Sequence, residues 1–306
     1  MKNKLGGFEK FNRVSPCANT IIAAIFIILA IVCILPVILV FMVSISSEKS
    51  IQNLGYRFWP GEFSSQAYSY LADSKDSILK SFGVSILVTV LGTIIGLILN
   101  TTIAYALSRK NFKFKSFFTW VIFIPMLFNG GMISSYIVVS TMLNLKDTIW
   151  ALILPMAVSS FNIIILRTFF QTTIPDSLIE SAKLDGATQL RIFITIVLPI
   201  SLPAIATIGL FLTFAYWNDW YNALLYIDNN YLIPIQALLN RIQGDIEFMN
   251  QNVSLLGASA AEVLEKLPSE SVRMAIVIVV VLPIACSYPF FQKYFISGLT
   301  IGAVKE

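Results

Sequence analysis

The chain contains no histidine in 306 residues. That removes imidazole proton relays, histidine-based catalytic triads and nearly every zinc site. Charge is scarce as well. Asp, Glu, Lys and Arg make up 12% of the chain, where a soluble domain carries about 25%. So little charge cannot cover a water-facing surface of this size. The three cysteines, Cys17, Cys33 and Cys286, are widely separated and form neither a metal-ligand spacing nor a disulfide framework. They are read as small buried hydrophobes. No Gly-x4-Gly-Lys-Ser/Thr phosphate loop occurs, so the chain has no such means of hydrolysing ATP itself. What is abundant is apolar: 57% of residues are hydrophobic and the mean hydropathy is +0.78. This is the composition of an integral membrane protein.

A bilayer core of roughly 30 Å takes about 20 helical residues. Six stretches qualify: 20–44, 81–107, 116–140, 148–170, 193–217 and 274–296. Lys2, Lys4, Lys10 and Arg13 precede the first, as in a signal peptide. That stretch is far longer than a signal core of about 7–15 residues and has no small-residue cleavage site, so we expect it to remain as a span behind an arm over 1–19. Orientation follows from the basic residues of short loops. The arm sets four basic residues against Glu9, and SRKNFKFK carries Arg109, Lys110, Lys113 and Lys115 with no acid. The segment 218–272 has Arg241 and Lys266 against seven acids, while 45–80 is balanced. Both termini and the 108–115 and 171–192 loops are therefore expected in the cytoplasm, with 45–80, 141–147 and 218–272 outside.

One cytoplasmic segment, ESAKLDGATQLRIFITIVLP (180–199), is unlike a plain connector. Pro175 suits a first helical position after Thr173 or Ile174, and Asp176 complements the dipole of the first turn. Leu178, Ile179 and Ala182 share an apolar face, with Glu180 and Lys183 on a more polar side. Gly186 follows Asp185 where the helix must turn, because glycine accepts positive φ without a Cβ clash. A second helix is then expected to enter the membrane through Leu198-Pro199. Leu178, Ile179, Ala182 and Leu184 would face water unless headgroups or a protein partner cover them.

Glu180-Ser181-Ala182, then Gly186, then nine residues, Ile196, one residue, and Leu198-Pro199 resemble the EAA motif, EAA-x3-G-x9-I-x-LP, of the permease subunits of bacterial ATP-binding-cassette importers. Ser181 stands where the motif has alanine, a small-for-small departure. The stretches 128–155, 162–175 and 287–306 are similar to the sugar permeases of the maltose-permease-like superfamily. They most resemble the second permease of the complex-oligosaccharide subgroup, the lipoprotein-associated sugar permeases, and the likeness runs from about residue 15.

This resemblance implies an all-α integral membrane protein of the type I importer permease fold, with six transmembrane helices and both termini cytoplasmic. It places a coupling helix between helices four and five, within 171–192. Leu178, Ile179, Glu180, Ser181, Ala182, Leu184, Asp185, Gly186 and Ala187, with Leu198 and Pro199, would couple to an ATPase. Implied partners are a second homologous permease subunit, two ATPase subunits, an extracytoplasmic solute-binding protein meeting the 218–272 loop, an oligosaccharide and the lipid bilayer, with no nucleic acid. The chain would bind no cofactor; ATP and Mg would be held by the ATPase partners. The location would be the bacterial cytoplasmic membrane. An importer of a non-sugar solute is the alternative. A secondary transporter would show internal repeats or intramembrane carboxylates; no Asp or Glu occurs in the six stretches.

Polar groups inside spans are costly, so each marks either a packing bond or a pathway. Gly92 and Gly96 form a small-xxx-small pair, which suits close helix packing, and Asn100, Thr101 and Thr102 suit interhelical bonds. Asn129 and Gly130, followed by Gly131, weaken span three at mid-membrane, where irregular backbone survives only if buried or lining a cavity. Ser159 and Asn162 follow Pro155 in span four and lie on a candidate pathway face. Trp217 and Trp220 fit an outer aromatic belt; Asn218 and Asp219 between them fit sugar recognition equally well. An anionic sugar would call for a basic residue along the pathway, and the span interiors supply none. Within the outer loop, LLGASAAEVLEKLPSESVRMA (255–275) is expected to contain helix.

Overall fold

Helix α1 (Pro16–Ser44) begins where Ser15 caps it, its hydroxyl accepting the Ala18 N–H at 3.2 Å. The helix carries no charged residue, and most of its side chains are exposed up to its last turn, where Val43 and Ser44 are buried. A helix apolar on every side and unburied by its own chain is solvated by lipid. The computed structural model describes residues 15–252 and 269–303. Residues 1–14 of the expected arm, and 255–268 of the outer-loop stretch expected to contain helix, lie outside the described residues.

The chain divides into two units, Met1–Ala72 with Glu262–Ile278, and Asp73–Ala261 with Val279–Glu306. In the first, α1 is followed by α2 (Glu48–Leu54) and α3 (Gln66–Asp73). An isolated bridge pairs Ser46 with Phe63. The Glu48 carboxylate accepts the N–H groups of Glu270 and Ser271 at 3.2 Å each. It thereby caps the start of the last helix, α15 (Ser269–Ala303), where a negative charge also complements the helix dipole.

The second unit is organised around α4 (Lys75–Ser108), which packs against the helices of spans four and five. A Cβ on Gly92 would come within 2.5 Å of the Tyr216 ring, and one on Gly96 within 3.0 Å of Leu212. These two glycines are where the neighbouring helix closes in. Leu152, Ile153, Ile163, Leu166, Phe170, Ile192 and Ile208 are fully buried around α4.

Three of the expected spans are not continuous helices. Span three is α5 (Lys115–Leu127), a break at 128–130, and α6 (Gly131–Tyr136), which widens into a π-helical turn at Ile137–Met142. Gly131 takes φ +81° at the break. Span four is α7 (Ile149–Ala157) and α8 (Ser160–Thr173), bent by 47°. The Asn100 amide donates to the Ala157 carbonyl at 2.8 Å and its oxygen accepts the Ser159 N–H at 3.1 Å. One buried side chain thus replaces backbone bonds lost at the break.

Span five departs furthest from expectation. Gln189–Ile200 is one helical stretch, made of α10 (Gln189–Ile192), a π-helical turn at Phe193–Val197 and α11 (Leu198–Ile200). It meets α12 (Leu202–Trp217) at 83°. The turn falls at Ser201, inside the stretch 193–217 expected as one span. Pro203 has no N–H for the Pro199 carbonyl and disfavours helical backbone at the residue before it. Pro199 itself is absorbed beside the widened turn at Phe193–Val197. By length and composition, two described helices suffice to cross a membrane alone, Cys17–Ser44 and Lys75–Ser108, or up to four spans if each bent pair counts as one. Cys17, Cys33 and Cys286 are exposed on helix surfaces rather than buried, because the apolar medium around those helices is not supplied by this chain.

Beyond α12 come α13 (Tyr221–Tyr226), a 3-10 turn at Asn230–Leu232 and α14 (Ile235–Gln251). Asp147, at φ +58°, accepts the N–H groups of Asp228 and Asn229 at 2.6 and 2.8 Å. Lys146 pairs with Asp228 at 2.8 Å. The 143–148 loop is thereby clamped to the 227–232 loop. The two backbone donors hold the Asp147 carboxyl below the usual carboxylate range.

Candidate functional site

The EAA-like segment forms α9 (Asp176–Leu184), preceded by an extended Pro175 at ψ 140°. The helix therefore starts at Asp176, one residue later than Pro175. The Asp176 carboxylate reaches Lys110 Nζ at 2.7 Å and Arg109 Nη1 at 3.7 Å. The Lys110 hydrogen bond is the main reason its carboxyl lies below the ordinary value, and the charges of Lys110 and Arg109 add to it. One end of α9 is thus tethered to the loop after α4.

Arg109 is only 13% exposed in its side chain. Its Nε donates to Ser108 Oγ at 2.9 Å, its Nη2 to the Phe170 carbonyl at 3.4 Å, and the guanidinium lies 5.3 Å from the Tyr105 ring centre. It is a strut joining α4, α8 and α9. In the sequence Arg109 counts only toward orientation; its spacing of four from Tyr105 is the available sign of this contact.

The other end of α9 closes with a Schellman pattern. Gly186 N–H bonds the Lys183 carbonyl at 3.0 Å, and Ala187 N–H bonds the Ala182 carbonyl at 3.0 Å. Gly186 sits at φ +80° with no atom within 4 Å of where a Cβ would be. Glycine is required there by backbone conformation, not by crowding.

The four apolar residues expected on one open face separate. Ile179 is 3% exposed and belongs to the chain's own core, and Ala182 packs partly against it. Leu178 is exposed, and Leu184 is 89% exposed. Ser181, Asp185 and Glu180 are also exposed, and Ala187 is half-buried. The outward surface of α9 is therefore Leu178, Ser181, Leu184 and Asp185, small and polar groups around two leucines. Leu198 is half-buried and Pro199 exposed on α11.

Behind α9 lies a cavity of about 620 Å³, lined by Tyr105, Arg109, Phe112, Ile179, Lys183 and Phe193 among others. The Tyr105 hydroxyl donates to Gln189 Oε1 at 3.0 Å, and its ring lies 5.0 Å from that of Phe193. The start of α10 is thus fastened to the same end of α4 as α9.

At the far end of α12 the run 217–220 also separates. Trp217 is buried against Phe82. Asn218 donates to the Phe214 carbonyl at 2.9 Å and accepts from Gln236 at 3.3 Å. Asp219 accepts from the Asn222 N–H and side-chain amide at 3.1 and 2.9 Å, capping α13. Burial raises its carboxyl above the usual range, against the pull of those bonds. Only Trp220 combines an aromatic face with open space, being 42% exposed. With Leu224, and with Ala237, Asn240 and Arg241 of α14, it lines a cavity of about 100 Å³. Nothing in the sequence around Arg241 signals that α14 folds back onto Trp220.

Asn129 and Gly130 are exposed at the break of span three, where the Asn129 side-chain oxygen accepts the Gly131 N–H at 2.9 Å. Ser159 is the N-cap of α8, its hydroxyl accepting the N–H of the buried Asn162 at 3.5 Å. Among the described residues no group of three His, Cys, Asp or Glu is placed to hold a metal ion.

Residues 89–301 match the family described as binding-protein-dependent transport system inner membrane component. The chain is 41% identical over 287 residues to the polygalacturonan/rhamnogalacturonan transport system permease protein YtcP of Bacillus subtilis (strain 168), covering 94% of this chain and 98% of that one. It is 38% identical over 274 residues to protein LplC of the same organism, covering 89% of each. A crystal structure of a bacterial ABC transporter involved in the import of the acidic polysaccharide alginate holds a similar chain. The TM-score is 0.75 at 29% identity, over 90% of this chain and 96% of that one.

Proposed function

Because the chain belongs to the family of binding-protein-dependent transport system inner membrane components, we propose that it is a permease subunit of an ATP-driven oligosaccharide importer. In this reading it crosses the membrane six times, α7–α8 and α10–α12 each counting as one bent span, with both termini in the cytoplasm. It forms half of a translocation pathway with a second permease. Two ATPase subunits bind ATP and Mg and hydrolyse the nucleotide. A solute-binding protein delivers the sugar to the outer surface. The named activities of its relatives support the sugar assignment.

The observation that carries the coupling role is α9 itself, with an almost fully exposed Leu184 on one side and Ile179 in the core on the other. An apolar residue so exposed, on a helix anchored at both ends, fits a partner-covered surface. A partner that engages this surface better in one state than in the other shifts the pathway between inward-facing and outward-facing forms; equal fit in both would shift nothing. The tether from Asp176 to Lys110 and Arg109 and the Gly186 turn into α10 supply two routes from α9 to the spans.

Reconstitution with the neighbouring permease, ATPase and binding protein tests the reading. Leu184→Asp should abolish ATPase capture while the permease pair still assembles. Capture unchanged by Leu184→Asp and by Leu178→Asp would remove α9 from the interface.

A further inference from the structure

We propose that Trp220, Asn240 and Arg241 form an outer sugar subsite that selects a carboxylate-bearing, uronic acid unit. The inference rests on the oligosaccharide reading and adds the charge of the substrate. Its components come from two consecutive helical segments that the 227–232 loop brings together around a cavity of about 100 Å³. Trp220 offers an aromatic face, the surface on which the C–H side of a sugar ring stacks. Asn240 is exposed and provides an amide able to donate to and accept from hydroxyls.

Arg241 supplies the selectivity. Its Nη1 donates to Asn230 Oδ1 at 3.3 Å and its Nη2 to the Ile227 carbonyl at 3.1 Å. Both acceptors are neutral, so they orient the guanidinium without cancelling its charge. Among the described residues no carboxylate forms an ion pair with Arg241. The acid of the adjacent loop, Asp228, is already paired with Lys146. A guanidinium held in place at the surface, with no ion-pair partner among the described residues, is suited to a carboxylate through charge-assisted, bidentate bonds.

The residues beside Trp220 keep the platform in position. Asn218 ties the end of α12 to Gln236 at the start of α14, and Asp219 caps α13. Neither needs to touch sugar. Their bonds fix the approach of Trp220 to α14 before any ligand arrives, which lowers the ordering cost of binding.

The test uses the reconstituted importer with its binding protein and three trisaccharides: a uronic acid trimer, its fully methyl-esterified form and a neutral hexose trimer. Stimulation of ATP turnover is measured across sugar concentration. The wild type should prefer the free acid over its ester by about tenfold or more, the scale of one hydrogen bond to a charged group. Arg241→Gln should bring that ratio close to one, with Arg241→Lys between. Asn230→Ala, which removes one anchor of the guanidinium but no charge, controls for disturbance of the loop and should keep a preference for the acid. An unchanged acid-to-ester ratio in Arg241→Gln overturns the proposal, as does stimulation by the neutral trimer alone. If no trimer stimulates turnover but another solute does, the oligosaccharide reading falls and the subsite with it.

Discussion

Asn100 on α4 completes the backbone of a different helix pair, donating to the Ala157 carbonyl and accepting from the Ser159 N–H across the break between α7 and α8. A second amide hydrogen reaches the Gly96 carbonyl at 2.6 Å, so the side chain is fully engaged in a site with no exposure. Asn100→Leu keeps the approximate volume and orphans both backbone groups. Leaving a buried donor or acceptor unsatisfied costs about 1–3 kcal/mol. The variant should lose thermal stability in detergent, and so should Asn100→Asp, whose carboxylate could accept from Ser159 but would face the Gly96 and Ala157 carbonyls at a site with no exposure. Equal melting of wild type and Asn100→Leu would mean that water or lipid reaches the break.

Gly186 offers a cleaner separation of cause. A side chain there meets no atom, yet φ is +80°. Left-handed backbone costs an ordinary L-residue roughly 1–2 kcal/mol and asparagine less. Gly186→Val should therefore leave the chain in the membrane while uncoupling ATP turnover from transport. Gly186→Asn should retain most transport despite its bulk. The reverse order, with asparagine the more damaging, would point to crowding by a docked partner.

The Asp176 tether has a defined dependence on pH. Its carboxyl is depressed below the ordinary value by Lys110. Whatever the pair contributes is present above the unfolded carboxylate pKa of about 3.9 and lost as pH falls through the lower folded value. Coupling should thus not respond to pH between 6 and 8 through this pair, but should weaken with salt because the pair is partly exposed. Amide exchange across 176–186 should rise in Asp176→Asn and return toward wild type in Asp176→Glu. No change in exchange would leave Arg109 and Ile179 as the anchors of α9.

Close packing of α4 on α12 rests on Gly92 and Tyr216. The Tyr216 hydroxyl donates to the Ile153 carbonyl at 2.8 Å, so the ring cannot retreat from an added methyl without losing that bond. Gly92→Ala should destabilise the permease by about 1–3 kcal/mol through overpacking. The added cost of Tyr216→Phe should be much smaller in that background than in the wild type, as a thermal-melt double-mutant cycle would measure.

Legibility of the sequence varied with the range of the signal. Hydropathy located the apolar stretches, and the placement of Gly186 after a short amphipathic run announced its positive φ, because both are local. The Ser201 bend was obscured by Leu198-Pro199, the more conspicuous proline pair; the effective one is Pro203. Ile179 and Leu184 lie about 140° apart on a helical wheel, so the wheel separates them but does not say which one meets the core. That choice is made by contacts between distant segments, with Ile179 joining the core cluster around α4 and α8. The grouping of Trp220 with Arg241 is likewise set by the loop clamp at Asp147.

The right-angled turn at Ser201 has a mechanical consequence. The twelve residues of Gln189–Ile200 form an arm of about 18 Å at the usual helical rise, set at 83° to the shaft Leu202–Trp217. A straight helix pushed sideways at its tip would bend or translate. A crank turns: each ångström of travel at Gln189, perpendicular to the plane of the arm and shaft, rotates the shaft by about 3° for an arm of that length. Trp217, at the opposite end, would convert a push received on one face of the bilayer into torsion beneath the surface where Trp220 and Arg241 stand.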